Sequence, residues 1–329
     1  MPRELSLAEI FQLGYYWETK ILLTAVKLDL FSMIDTKPRT AGEVAQRMGA
    51  DARTLELLMN ALVATGVLTK DGDRFANTSV AQTHLVKISP GYIGHLLMLH
   101  DAEWNNWGKL EEAVKTGRSP VTQHVFETDP ELGASVLSVL HRIGEQSGPG
   151  LAKRLALGEA RTMLDLGGGA GTNAIAFCTV YPDLNATVFD LPQTLRVTER
   201  TVKQAGLEDR ITLKPGNFNK DSLGASYDIV LMSDILHYQD DRMNAAVVKN
   251  VHAHVNPGGR LVIKDRFLDD AGTGPAWTTA FAVHILVNTE KGRCYRTADA
   301  MRWMTDAGFS GVVELEQTAV VQGVKPGKK

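Results

Sequence analysis

An apolar strand that empties into a run of glycines and then into a helix leaves few folds open. Residues 163–173 have that form: Met163-Leu164-Asp165-Leu166-Gly167-Gly168-Gly169-Ala170-Gly171-Thr172-Asn173. Such a loop brings backbone closer to a ligand than any Cβ permits, and the helix behind it offers unpaired N–H donors and a partial positive charge. The glycines at 167, 169 and 171 read G-x-G-x-G. The dinucleotide pattern G-x-G-x-x-G, which suits a pyrophosphate, asks for glycine where Thr172 stands. This spacing favours S-adenosylmethionine (SAM) over NAD.

The strands that follow supply further contacts to one nucleoside. Ala186-Thr187-Val188-Phe189 ends in Asp190, 23 positions after Gly167, where a carboxylate can accept both ribose hydroxyls; Leu191-Pro192 follows it. A third strand, Ile211-Thr212-Leu213-Lys214, ends in Pro215-Gly216-Asn217-Phe218. Phe218 is placed to stack on adenine and the Asn217 amide oxygen to accept from its exocyclic amine. Tyr227-Asp228-Ile229-Val230-Leu231-Met232 reads as a fourth strand, with Ser233 at its end on the cofactor side and His237 just beyond. The fifth, Arg260-Leu261-Val262-Ile263-Lys264, delivers Asp265 to the same edge. Strand carboxyl ends face the ligand crevice in an open α/β sheet, so His237 and Asp265 form a candidate base and orienter.

The first hundred residues have a different rhythm. Ser6-Leu7-Ala8-Glu9 and Thr40-Ala41-Gly42-Glu43 are capping boxes, each opening a helical pattern, and Val67 to Ala76 reads as a hairpin around Asp71-Gly72. Three helices and a wing make a winged-helix order. Nucleic acid is nevertheless not the expected partner: the would-be recognition helix, Asp51 to Thr65, sets Asp51 and Glu56 against Arg53, and the whole chain carries a net charge of −3. Phosphate binding needs clustered Lys and Arg. The apolar module is expected to pack against a second copy of the chain as a homodimer.

At 329 residues the chain can bury more than one core. No run of eighteen apolar residues occurs, and Met1-Pro2-Arg3-Glu4 lacks the order of a signal peptide, so no membrane partner and a cytoplasmic location are expected. Cys178 and Cys294 are too isolated for a disulfide framework or a zinc site, and no metal is expected.

Candidate acceptor contacts come from three places. Trp104 and Trp107 lie one helical turn apart, on a pattern that equally suits packing of a domain seam. His141 sits amid Val139, Leu140 and Ile143 on a helix that leads to the cofactor strand, where a packed histidine is the commoner outcome. Trp277, Phe281 and His284 recur at about one-turn spacing, a period shared by core and pocket faces.

Taken together, Leu28-Asp29-Leu30-Phe31, Leu164 to Gly169, Phe189-Asp190-Leu191-Pro192, Gly206-Leu207 with Asp209-Arg210, Pro215 to Phe218, Ile235-Leu236-His237 and Ala307-Gly308-Phe309 resemble the SAM-dependent small-molecule O-methyltransferases that carry an N-terminal winged-helix dimerisation domain. The resemblance spans nearly the whole chain. It implies an α/β fold with a Rossmann-like SAM sheet, and a division into a dimerisation domain at 1–100, connecting helices lining the substrate pocket at 101–155 and a catalytic domain at 156–329. It also implies a homodimer, a SAM site at Gly167, Gly169, Asp190, Leu191, Asn217 and Phe218, and a histidine base at His237.

Some positions depart from the family pattern. Asn217 stands where the family often has Asp, Tyr238-Gln239 where Asp-Trp is common after the histidine, and Asp265 where many plant members have Glu. Tyr295, in Gly292-Arg293-Cys294-Tyr295-Arg296-Thr297, takes the place of a second acid and is counted among the acceptor contacts. The expected reaction is methyl transfer from SAM to a hydroxyl of a small molecule, leaving S-adenosylhomocysteine (SAH). An imidazole, largely neutral at pH 7, takes the proton. Because a thiol or thioether acceptor needs little basic help, S-methylation by proximity and orientation is the alternative.

Overall fold

The computed structural model describes residues 4–315 and 319–327. They form two compact units, the first ending at Ala102 and the second starting at Glu103. The helices up to residue 155 that the sequence suggests as a connector pack with the second unit. There, Pro130–Glu145 and Gly148–Leu155 lie against the helix Thr172–Val180.

In the N-terminal unit the helices start where the capping residues stand. The Ser6 and Thr40 hydroxyls each accept from the backbone N–H three residues on, and Glu9 and Glu43 return the bond, so both boxes form as read. Asp51 caps the helix Ala52–Ala64 through Thr54 N–H at 2.9 Å. Strand β1 (Arg39–Thr40) pairs with β3 (Arg74–Asn77), which pairs with β2 (Leu68–Asp71) across the Gly72 turn, giving the wing. Phe31, Met59, Leu62 and Phe75 fill its core, each almost fully buried. The helix Leu7–Leu13 buries no residue, and Leu7, Ile10, Phe11 and Leu13 are exposed.

The C-terminal unit is built on one seven-stranded sheet in the order β6-β5-β4-β7-β8-β10-β9. Its strands are β4 (Thr162–Leu166), β5 (Asn185–Asp190), β6 (Ile211–Pro215), β7 (Tyr227–Ser233), β8 (Val255–Lys264), β9 (Ser310–Glu314) and β10 (Val320–Val324). From β4 to β8 neighbouring strands are parallel, and β10 joins β8 and β9 antiparallel. Burial on both faces explains the continuous apolar runs Ile229 to Met232 and Leu261 to Ile263. After β4 the chain adds β5 and β6 on one side, then returns to place β7 on the other. The switch point thus falls at β4, where the glycine loop begins, and this is the doubly wound α/β sheet expected from the strand order of the sequence.

Arg210, just before β6, ties the outer strands to the helix behind that loop. Its guanidinium donates to the carbonyls of Cys178, Tyr181, Pro182 and Leu184, at 2.6–3.3 Å, and so gathers carbonyls left open at the C-terminal end of Thr172–Val180. An ammonium lacks that planar fork. Arg210→Met should therefore lower unfolding free energy in urea by about 1–3 kcal/mol, with Arg210→Lys recovering only part of it. Unchanged denaturation midpoints would show that water satisfies these carbonyls equally well.

Candidate active site

The glycine loop adopts backbone that side chains resist. Gly167, Gly169 and Gly171 have φ of +67°, +56° and +76°. A Cβ on Gly167 would lie 2.7 Å from Ile235 Cγ2, and one on Gly168 would lie 2.8 Å from Asp165 Cγ. Beside the loop, Asp190 accepts from Gly169 N–H with Oδ2 at 2.9 Å and from Leu191 N–H with Oδ1 at 2.7 Å. The Thr194 side chain hydrogen-bonds the same carboxyl. Burial raises the Asp190 carboxyl above its ordinary range, while the same two N–H groups favour its charge. Asn217 closes a tight turn, its N–H donating to Asp221 and its Oδ1 accepting from Asn219 N–H, and half-buried Phe218 follows. Ser233 donates from Oγ to Asp234, which Lys264 Nζ also contacts at 2.5 Å. A backbone cradle closed to side chains, with a carboxylate anchored beside it by two backbone N–H groups, fits a nucleoside such as that of SAM.

On the neighbouring strand ends, the short 3₁₀ helix Leu236–Tyr238 carries His237 into a buried position, 3 % exposed. His237 Nδ1 lies 2.6 Å from Asp265 Oδ1. Asp265 is itself fixed, since its Oδ2 accepts from Leu236 N–H at 2.9 Å and its Oδ1 from Arg266 N–H at 2.7 Å. A carboxylate only accepts, so the ring proton resides on Nδ1 and the Nε2 lone pair is left available.

An aromatic wall stands against that histidine. Along the helix Ala276–Asn288, Trp277 stacks on Phe281 at 4.8 Å and Phe281 on His284 at 5.6 Å, and the Phe281 ring meets His237 edge-on at 5.2 Å. The Arg266 guanidinium lies 4.4 Å from the Trp277 ring centre. Trp107 reaches His284 at 6.1 Å, and Asn106 Nδ2 donates to Asn288 Oδ1 at 2.8 Å, which joins the short helix Trp104–Trp107 to the wall.

A buried acid faces this wall. Glu103 is 2 % exposed and neither of its carboxylate oxygens has a hydrogen-bond partner. His284 Nε2 stands 3.6 Å from one oxygen and His124 Nε2 3.9 Å from the other, beyond hydrogen-bonding distance. Burial pushes the Glu103 carboxyl up to about 7, and it pushes His124 down to about 4, helped by the nearby His284 and His237.

Of the acceptor residues suggested by sequence, Phe281 meets His237, Trp277 and His284 stack on Phe281 and Trp107 follows beside His284, while Trp104 is half-buried at the start of its short helix. His141 lies elsewhere: its Nδ1 is 2.9 Å from the Thr172 hydroxyl, so it braces the helix behind the glycine loop. Tyr295 is a core residue, donating to the Gln239 carbonyl at 2.6 Å and packed edge-on against Trp303. Sequence reasoning passed over Glu103 and His124, whose neighbours give no periodic signal. It also passed over Gly292, where a Cβ would sit 2.2 Å from the His237 carbonyl oxygen. Among the described residues no group of three His, Cys, Asp or Glu has metal-holding geometry.

This architecture recurs in known proteins. The family profile of the O-methyltransferase domain matches residues 107–310, and that of the O-methyltransferase dimerisation domain matches 11–87. The chain is 32% identical to the tetracenomycin polyketide synthesis 8-O-methyl transferase TcmO of Streptomyces glaucescens, covering 94% of this chain and 91% of that protein. It is also 32% identical to a 3-hydroxy-5-methyl-1-naphthoate 3-O-methyltransferase of Streptomyces sahachiroi, over 94% and 92%. An O-methyltransferase family protein from Burkholderia thailandensis superposes with a TM-score of 0.89 at 28% identity, over 99% of this chain and 100% of that one. The chain belongs to the O-methyltransferase family and is a SAM-dependent methyltransferase.

The unpaired carboxyl sets a pH dependence. A folded-state value of about 7, against an unpaired 4.5, means that folded protein holds this proton more tightly than unfolded chain. Its contribution to stability therefore falls as pH rises through 4.5–7 and stays lost above that. Glu103→Gln should be more stable than the parent by roughly 2–3 kcal/mol at pH 8, with the gap closing near pH 4.5. Thermal unfolding at the two pH values measures it, and equal gaps at both would show that the carboxylate is held without cost.

Proposed function

We propose that the enzyme methylates a phenolic hydroxyl of a small aromatic acceptor, with His237 as general base. The observation that carries the reading is the 2.6 Å contact from His237 Nδ1 to an Asp265 already fixed by two backbone N–H groups. Gly167, Gly169, Asp190, Leu191, Asn217, Phe218 and Ser233 would hold the cofactor. When bound, SAM supplies a methyl group on a sulfonium that leaves as a neutral thioether. The chain's own task is to position the acceptor oxygen and receive its proton. His237 Nε2 takes the proton, and the Asp265 carboxylate stabilises the resulting imidazolium and holds the ring in place. Trp277, Phe281 and Trp107 supply an apolar aromatic border for a flat acceptor. The two relatives named above are O-methyltransferases by name, one of a naphthoate, which supports an aromatic hydroxyl as the target.

His237→Gln should keep SAH affinity in calorimetric titration while lowering turnover by about 10²–10⁴-fold, whereas Asp190→Ala should weaken SAH binding by roughly 1–3 kcal/mol. Near-normal turnover in the histidine variant would remove proton abstraction from the mechanism and favour a sulfur acceptor held for direct attack.

The exposed Leu7, Ile10, Phe11 and Leu13 support a homodimer formed through the N-terminal unit, consistent with the dimerisation profile over 11–87. The protein works in the cytoplasm with no nucleic-acid or membrane partner, in keeping with its net charge of −3; no helix among the described residues is long and apolar enough to cross a membrane. Light scattering should give twice the monomer mass, and Phe11→Asp with Leu13→Asp should halve it. A monomeric parent protein would refute this assembly.

A further inference from the structure

The carboxylate of Glu103 is a buried polar group beside the aromatic wall that the methyl-transfer reading leaves unused. An acid buried to 2 % exposure without a hydrogen bond on either oxygen is a costly arrangement, and costly groups persist where a ligand completes them. What could complete this one follows from its neighbours' protons. His124 Nδ1 accepts from Phe126 N–H at 3.3 Å, so the neutral ring carries its proton on Nε2, the atom facing Glu103 Oε1. Asn288 Nδ2 lies 3.1 Å from His284 Nδ1 and 3.5 Å from its Nε2, with Asn288 Oδ1 taken by Asn106; the shorter contact assigns the lone pair to Nδ1 and the proton to Nε2, toward Glu103 Oε2. Two donors thus converge on a double acceptor across gaps of 3.6 and 3.9 Å.

A group that both donates and accepts can bridge such a pair from beside it. A hydroxyl gives its proton to the carboxylate and accepts from an imidazole N–H. An ammonium would meet two N–H groups head-on, a carboxylate would meet Glu103, and a metal ion needs a lone pair where His124 has a proton. The position is equally specific, because Phe281 meets His237 in a perpendicular contact and stacks on His284. The two histidines are thus separated by one phenylalanine ring, and an acceptor beside Phe281 can address both.

We propose that Glu103, flanked by His124 and His284, is an acceptor subsite that binds a second hydroxyl, so that the enzyme selects polyhydroxylated aromatic acceptors over singly hydroxylated ones. The proposal rests on the reading that His237 receives the phenol to be methylated. Glu103 holds the acceptor through an oxygen that is not methylated and takes no part in the proton transfer at His237.

SAH-loaded enzyme titrated calorimetrically with 1-naphthol, 2-naphthol and the dihydroxynaphthalene isomers tests it. At least one dihydroxy isomer should bind about tenfold or more tightly than either naphthol, since a site built to hydrogen-bond a hydroxyl discriminates against the analogue lacking it. Glu103→Leu should erase that preference and Glu103→Gln should weaken it, while naphthol affinity stays within about twofold, which also reports that the variants are folded. A preference that is absent in the parent, or that survives both substitutions, overturns the subsite. Methylation of 2-naphthol by the parent, abolished in His237→Gln, keeps the phenol reading intact even then. If no naphthol of either kind binds while SAH does, both readings fail together.

Discussion

Parallel pairing of β4 with β5 on one side and β7 on the other brings the chemistry to a single edge of the sheet. Leu166 is opposite Phe189 and Met232 in register, so the glycine loop, Asp190 and Ser233 emerge at the same level. Next in the sheet, Ser233 pairs with Lys264, which sets the turn carrying His237 beside Asp265. A slip of one residue in either pairing would turn alternate side chains to the opposite face and separate the histidine from its carboxylate. The hydrogen-bonded ladder thus fixes distances among groups far apart in the chain.

The buried acids of this unit are treated in different ways. Asp265 receives two backbone N–H groups as well as His237, and its charge is well supported. Asp165, fully buried beneath the loop, receives only Ala174 N–H, at 3.1 Å, and burial lifts it to about 7. Glu103 receives none. Fixed support belongs where one charge state must persist throughout the reaction, as on the orienting carboxylate. A carboxylate left incomplete costs stability in the empty protein but becomes favourable once a ligand hydroxyl arrives, and that trade is frequent at binding sites.

Much of this was legible in the sequence, and the boundary has a physical cause. Glycine spacing, apolar runs and the residues that end them are local signals, so β4 to β8, Asp190, His237 and Asp265 could be placed from their immediate neighbours. The capping boxes at Ser6 and Thr40 worked for the same reason. Tyr295 and His141 misled because an aromatic or histidine in an apolar setting looks alike whether it lines a pocket or fills a core. Their partners, the Gln239 carbonyl and the Thr172 hydroxyl, are remote in sequence. Glu103 and His124 were silent because their meaning arises only where residues 103, 124 and 284 meet, on three separate segments.

The helix Ala276–Asn288 shows why periodicity alone could not decide. Its apolar residues run all round, which for an isolated helix means burial on every side. Thr278, Ile285 and Val287 are indeed buried. The stripe Trp277, Phe281, His284 and Asn288 differs in kind, since successive members contact one another and end in two polar groups tied to neighbouring histidine and asparagine side chains. A core face needs volume and shape, and gains nothing from ordered imidazole protons. A recognition face needs those protons oriented, because an acceptor hydroxyl discriminates between N–H and a lone pair. Asn288, which donates to His284 and accepts from Asn106, sets that orientation at the end of the stripe, making the wall a surface able to read where an aromatic ring carries its oxygens.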